Sequence, residues 1–261
     1  MTAEEFNREF DLMYNNVMSD MAPGLDGYEK SVFLTLAQEE VVKQLYSGTL
    51  GDGFESSELN RRYLANLIRQ GVVTSSDSKF PSTTNGGLKL ISGYRWYTIP
   101  LGTSTAPLLV LLAEQAECSG INGCCDNSDE TAILNVQPVK YDEINKVLNN
   151  PFRRPNNTQA LRADINSQEV VIITHVPLMK YTYEYLKKPY PIIVEDLSAY
   201  TDAIGSPITI DGHQTVTRIV DGEQREGATG EGSELDSALH RTILKYAVQL
   251  AAASWASNNK S

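Results

Sequence analysis

The chain is short of bases, of histidine, of cysteine and of unbroken apolar sequence, and each shortage removes a class of function. Its 22 Lys and Arg face 33 Asp and Glu, a net charge of −11. A general grip on nucleic acid needs cations to displace phosphate counterions, so that class is excluded. A like-charged wall past which DNA slides is not excluded. Three cysteines, Cys118, Cys124 and Cys125, are an odd number confined to one stretch and build no disulfide framework. Adjacent cysteines point apart and no nearby His completes a zinc set. Asp126, Asp129 and Glu130 lack the EF-hand spacing. His175, His213 and His240 are scattered and form no metal-binding motif. Nucleophile-elbow, phosphate-loop and dinucleotide fingerprints are all missing, and the glycines between 222 and 232 lack both the preceding strand and the Lys of a P-loop. Carboxylate pairs of the glycosidase kind abound in any acidic chain and single none out. No catalytic residue, cofactor or metal is expected. The longest apolar run, Pro107 to Ala113, falls far short of the roughly 20 residues of a membrane span. The opening Met-Thr-Ala-Glu-Glu-Phe is acidic and lacks the basic-then-apolar order of a signal peptide, so a product made in the cytoplasm is expected.

What is present reads as an ordinary soluble chain of one large or two small domains. Thr2 with Glu5 is a capping box that opens a helix with Phe6, Phe10, Met13, Val17 and Met21 on one face. Asp26 with Glu29 opens a second, with Phe33, Ala37, Val41 and Leu45 inward and an end near Ser47-Gly48. Ser57 caps a third that carries Leu59, Tyr63 and Leu67, with Gly71 as its C′ residue. Ser75 to Gly87 is a polar linker, after which the period changes to two. Strands are expected at 88–91, 94–99, 108–112, 132–139, 160–164, 169–175 and 179–185. A short helix near 141–148 interrupts them. Alternation around Asp211-Gly212 signals a hairpin with a type I′ turn. Ser233 caps a last helix running to Ala256, with Leu235, Leu239, Ile243, Tyr246, Leu250 and Ala253 as its stripe. These elements predict an α+β fold: a helical bundle built from both chain ends, residues 1–79 and 233–261, and a β-rich insertion from 80 to 232. On that reading the last helix closes the core begun by the first two.

Two stretches stand out in the acidic chain as candidate interfaces. Phe152, Arg153 and Arg154 sit between Pro151 and Pro155, a stiff loop that loses little entropy on docking. Tyr183, Tyr185, Lys187 and Lys188 lie in a second aromatic and basic run. The plainer alternative, a solvated loop and a tyrosine-rich edge strand, has equal standing on sequence grounds.

The order of several segments resembles a known family. They are Phe10–Val17, Ala22-Pro-Gly-Leu-Asp-Gly-Tyr-Glu-Lys through Val41, Tyr141-Asp-Glu with Asn149-Asn-Pro-Phe-Arg-Arg-Pro155, Tyr185-Leu-Lys-Lys-Pro-Tyr-Pro-Ile-Ile193 and the Leu239–Ala251 helix. In combination they resemble the tail-ring structural proteins of crAss-like, short-tailed bacteriophages. The resemblance implies a non-enzymatic virion component: a homo-oligomeric ring, twelvefold, connecting portal and tail beside neighbouring tail-ring proteins. DNA would pass through its lumen without specific binding, with no membrane contact. The acidic excess suits such a channel. The other expectation carried forward is a receptor- or glycan-binding tail protein that uses the tyrosine-rich strands as its contact surface.

Overall fold

A computed structural model describes residues 1–18, 24–49, 53–74, 84–85, 88–89, 93–103, 106–119, 131–166, 168–202, 204–225 and 230–258. Among them are five α-helices: α1 (Ala3–Val17), α2 (Gly27–Ser47), α3 (Glu58–Leu64), α4 (Ile144–Leu148) and α5 (His240–Asn258). The strands are β1 (Ile68–Thr74), β2 (Thr84–Asn85), β3 (Leu88–Lys89), β4 (Arg95–Pro100), β5 (Leu108–Ser119), β6 (Thr131–Pro138), β7 (Gln159–Asp164), β8 (Glu169–Thr174), β9 (Leu178–Lys187), β10 (Ile219–Val220) and β11 (Glu223–Gln224). The chain divides into two compact units, Met1–Leu67 with Pro189–Ser261, and Ile68–Lys188. Cys124, Cys125, the acids from Asp126 to Glu130 and most of the Ser75–Gly87 linker lie outside the described residues.

In the first unit the helix starts follow from local chemistry. Thr2 and Glu5 form a reciprocal capping box, as do Asp26 and Glu29, and Ser57 accepts from the Asn60 amide. Gly48 ends α2 at φ 80° in the left-handed region. Phe6, Phe10 and Tyr14 bury one face of α1. Lys30 of α2 reaches across to Asn7 and to Asp11 at 2.8 Å. Helix α5 packs against both α1 and α2, and the His240 ring lies 5.3 Å from Phe6.

The expected helical bundle from both chain ends does not form, however. The protein is mostly a seven-stranded sheet with few helices, and α2 shares its core with extended chain. Ser31, Thr35 and Gln38, spaced three and four apart, bury one face of α2 beside Tyr190–Val194. Ser31 Oγ accepts from the Val194 amide and Thr35 Oγ1 from the Ile192 amide, both at 3.1 Å. Gln38 Nε2 donates to the Tyr190 carbonyl at 2.8 Å. On the other side of the segment, Ile193 donates to Thr217 Oγ1 and its carbonyl accepts from the Thr217 amide. Ile192 and Ile193 are fully buried, so these side chains replace a neighbouring strand for backbone that must be hydrogen-bonded. Periodicity reads polar positions as outward, and here they point inward.

The last helix also begins later than its Ser233 cap predicts. Ser233 and Glu234 are buried: Ser233 Oγ donates to Gln38 Oε1, and Glu234 accepts from the Tyr190 amide. Asp236 caps the 3-10 turn Ser237–Leu239 that leads into α5. Asp211 and Gly212 have φ of 50° and 80°, with Ile210 and His213 exchanging both backbone hydrogen bonds, the type I′ hairpin expected.

In the second unit the sheet order is β1-β9-β5-β6-β7-β8-β4. All pairs are antiparallel except β6 with β7, whose parallel pairing is joined by a connection carrying α4. Residues from all seven strands share one core, among them Val73, Ile99, Ala116, Leu134, Ala160, Ile172 and Tyr181. Strands from both ends of the order can meet in one core only if the sheet curls. Register shifts between β5 and β9 supply the local bends. The opposite face of β7, β8 and β4 packs on α4 through Ile144, Val147, Leu148, Trp96, Leu161 and Ile173. Gly71, expected to end a helix, sits in β1 opposite Tyr183. The Ile68-Arg-Gln-Gly-Val-Val-Thr run follows a short 3-10 turn and takes the strand conformation its β-branched residues favour.

Replacing Thr35 with Val keeps the volume and leaves the buried Ile192 amide without an acceptor. Equilibrium denaturation should show a loss of about 1–3 kcal/mol. A Cβ at Gly71 would overlap the Tyr183 ring. Gly71→Ala should therefore cost about 1–3 kcal/mol by overpacking, and less in a Tyr183→Ala background. His240 offers a pH test. Burial first, and then the nearby N-terminal ammonium, hold its imidazole below the ordinary value of 6.5. The neutral ring accepts from Met1 at Nδ1 and donates from Nε2 to the Leu235 carbonyl. The Leu235 carbonyl, Glu231 and Asp236 oppose the shift. The unfolded chain thus takes up the proton first, and this stability is complete above about pH 6.5 and lost as pH falls below it. The difference in unfolding midpoint between wild type and His240→Gln should narrow from about pH 8 to about pH 5.

Candidate assembly surface

The connection between α4 and β7 is a braced loop. The Arg153 and Arg154 amides both donate to the Asn150 carbonyl, and the Phe152 amide donates to Asn150 Oδ1. Asn156 Oδ1 accepts from the amide and the hydroxyl of Thr158, while the Asn156 amide donates to the Gln159 carbonyl. Pro155 is buried as the anchor, and Phe152 is 91% exposed between exposed neighbours. An apolar ring held in water by a loop that is already ordered has the form of an interface anchor. Arg153 and Arg154 are exposed beside it.

Beside this loop the residues entering β4, leaving β8 and preceding β7 enclose a cleft of about 570 Å³. Its walls include Tyr94, His175, Pro155 and Arg154, with the Tyr94 and His175 rings edge to face at 6.3 Å. Of these, Arg154 and Pro155 belong to the loop that the sequence picks out, and Tyr94 and His175 do not. Tyr94 and His175 end strands that are separate in the chain and adjacent in the sheet, so the β4–β8 pairing makes the wall.

The other sequence candidates lie elsewhere. Tyr183 and Tyr185 are 4% exposed, Lys187 is buried and Lys188 half-buried. With fully buried Tyr181 the two tyrosines stack along the inner face of β9, with centroids 5.7 and 5.5 Å apart. Their hydroxyls tie down the β4–β5 connection: Tyr183 accepts from the Gly102 amide and Tyr185 donates to the Ala106 carbonyl. The tyrosines on which a glycan-binding surface would rest are thus core residues.

The inner face also holds an ion pair, Arg162 Nη1 to Glu114 Oε1 at 2.7 Å, with the Tyr181 hydroxyl donating to Glu114 Oε2 at 2.7 Å. Burial raises the Glu114 carboxyl, while Tyr181 and Arg162 oppose that shift. Each of its oxygens has a partner, so the arrangement fits structure rather than proton transfer. Burial pushes the Cys118 thiol up to about 12, which removes thiolate reactivity. Among the described residues no group of three His, Cys, Asp or Glu is placed to hold a metal ion, and no helix is long and apolar enough to cross a membrane.

Comparison with known proteins agrees with this structural character. A family model described as phage tail ring protein 3/4 matches residues 1–261. Ring protein 4/5 of Bacteroides phage crAss001 is 31% identical over 264 residues, covering 98% of this chain and 94% of that protein. Ring protein 3 of the same phage is 31% identical over 255 residues, covering 96% and 95%. The chain belongs to the phage tail ring protein 3/4 family, and it is a non-enzymatic structural protein of a phage tail.

Proposed function

We propose that copies of this chain close into a homo-oligomeric ring, twelvefold in the reading taken from the family, within the connector between portal and tail. Neighbouring ring proteins stack on it, and the genome passes through the lumen without being held. The observation that carries this reading is how the charge is divided. The unit of Met1–Leu67 and Pro189–Ser261 holds 22 acids and 10 bases, whereas the unit of Ile68–Lys188 holds 11 acids and 12 bases. The first unit therefore carries −12 and the second +1 of the net −11. A strongly acidic unit repels phosphate and keeps DNA mobile, while a near-neutral body with exposed arginines and an exposed phenylalanine is suited to protein contacts.

Electron microscopy or mass photometry of the purified chain, alone or on portal-bearing particles, should show rings. A monomer or trimer that binds host glycans would replace this reading with a receptor-binding one. Reversing exposed acids of the first unit, with Glu40, Glu55 and Glu223 changed to Lys, should slow genome ejection several-fold, most strongly at low salt. Ejection at the wild-type rate would sink the channel assignment.

A further inference from the structure

Phe152 and Ile204 are the two large apolar side chains left at least 90% exposed among the described residues, one in each unit. Ile204 sits at the tip of a turn braced by Asp202. The carboxylate Oδ1 of Asp202 accepts from the Ile204 and Ser206 amides at 2.9 and 2.8 Å, and its backbone exchanges hydrogen bonds with Ser206 and Gly205. Gly205 takes the left-handed conformation at φ 83°, and a Thr201–Pro207 bridge closes the base. A tip ordered before it docks loses little entropy in docking. The stretch that carries it is of one sign: between Lys188 and Arg218 the chain has Glu195, Asp196, Asp202 and Asp211 and no Lys or Arg.

The cleft of the other unit has the complementary character. The Tyr94 and His175 rings and Pro155 supply its apolar part, Asn156, Asn157 and Thr158 a polar part, and Arg154 a cation, with Arg153 on the same exposed loop. It is an open cleft of about 570 Å³, wide enough to admit one aliphatic side chain. Ile204 is 90% exposed, an apolar tip that a partner can cover.

We infer that the Ile204 turn of one copy seats in the Tyr94–His175–Arg154 cleft of the next, with Phe152 packing at the rim of the contact. This inference rests on the ring reading and deepens it by naming the contact. Tip and cleft are different surfaces of one chain, so the contact is heterologous, the type that closes into a ring when the rotation between copies allows. Opposite charge at the two surfaces sets the orientation and disfavours tip-to-tip encounters.

The test is sedimentation velocity of the full chain over a concentration series, with Ile204→Asp removing the tip and Arg154→Glu reversing the rim. Each variant should lose at least ten-fold in self-association, and wild-type association should weaken with added salt. An equal mixture of the two variants keeps one intact tip and one intact cleft, and should stop at a heterodimer. Variants that assemble like wild type, or a mixture that stays monomeric, overturn the contact and leave the ring standing. Wild-type chain that forms no ring alone or on tail particles overturns both. If either variant lowers the unfolding midpoint, Ile204→Ala and Arg154→Gln give the same readouts with less disturbance.

Discussion

The first unit depends on how α2 satisfies the backbone of a buried, extended segment. Tyr190 to Val194 runs through the interior without a strand beside it, and a bare amide or carbonyl there would cost as much as several good contacts return. Ser31, Thr35 and Gln38 meet that demand from one helical face, and Thr217 meets it from the other side. Ser233 and Glu234 then join the same network through Gln38 and the Tyr190 amide. The polar face of α2 is thereby committed, and the approach of α5 is made against the helix's remaining faces. This explains why helices from the two chain ends pack on each other without making a bundle.

The second unit solves a different problem. A seven-stranded sheet whose end strands contribute to one core has a crowded concave face, and the Tyr181–Tyr183–Tyr185 row fills it. Buried tyrosines need partners for their hydroxyls. Here those partners are Glu114 and the backbone of the β4–β5 connection. Gly71 opposite Tyr183 leaves the space its ring occupies. Aromatics that looked available for recognition are consumed in closing the core. Phe152, an aromatic left outside, stands on a loop whose flanking prolines keep it from joining a sheet.

Legibility of the candidate surface follows the same division. The Pro151–Pro155 loop could be picked out because two arginines and an aromatic between prolines are unusual in an acidic chain. Tyr94 and His175 could not, because each is unremarkable alone and their meeting depends on the antiparallel pairing of β4 with β8. The Ile204 turn was equally silent: Asp202 and Gly205 hint at a turn, but exposure of its tip is a property of the folded chain.

The sequence by itself determined whatever closes within a few residues: the capping boxes at Thr2 and Asp26, the Ser57 cap, the left-handed end at Gly48, the Asp211-Gly212 turn and the positions of most strands. Its ordered segments also carried the family. Tertiary structure alone decided that the polar face of α2 is buried, that Gly71 belongs to a strand, that α5 starts beyond Ser233, and that the tyrosine row faces inward. Period-two alternation tells which residues share a face of a strand, but the choice of buried face is made by the other strands. In the same way, a Ser or Thr on a helix is outward by default, until an extended segment far along the chain arrives needing hydrogen bonds.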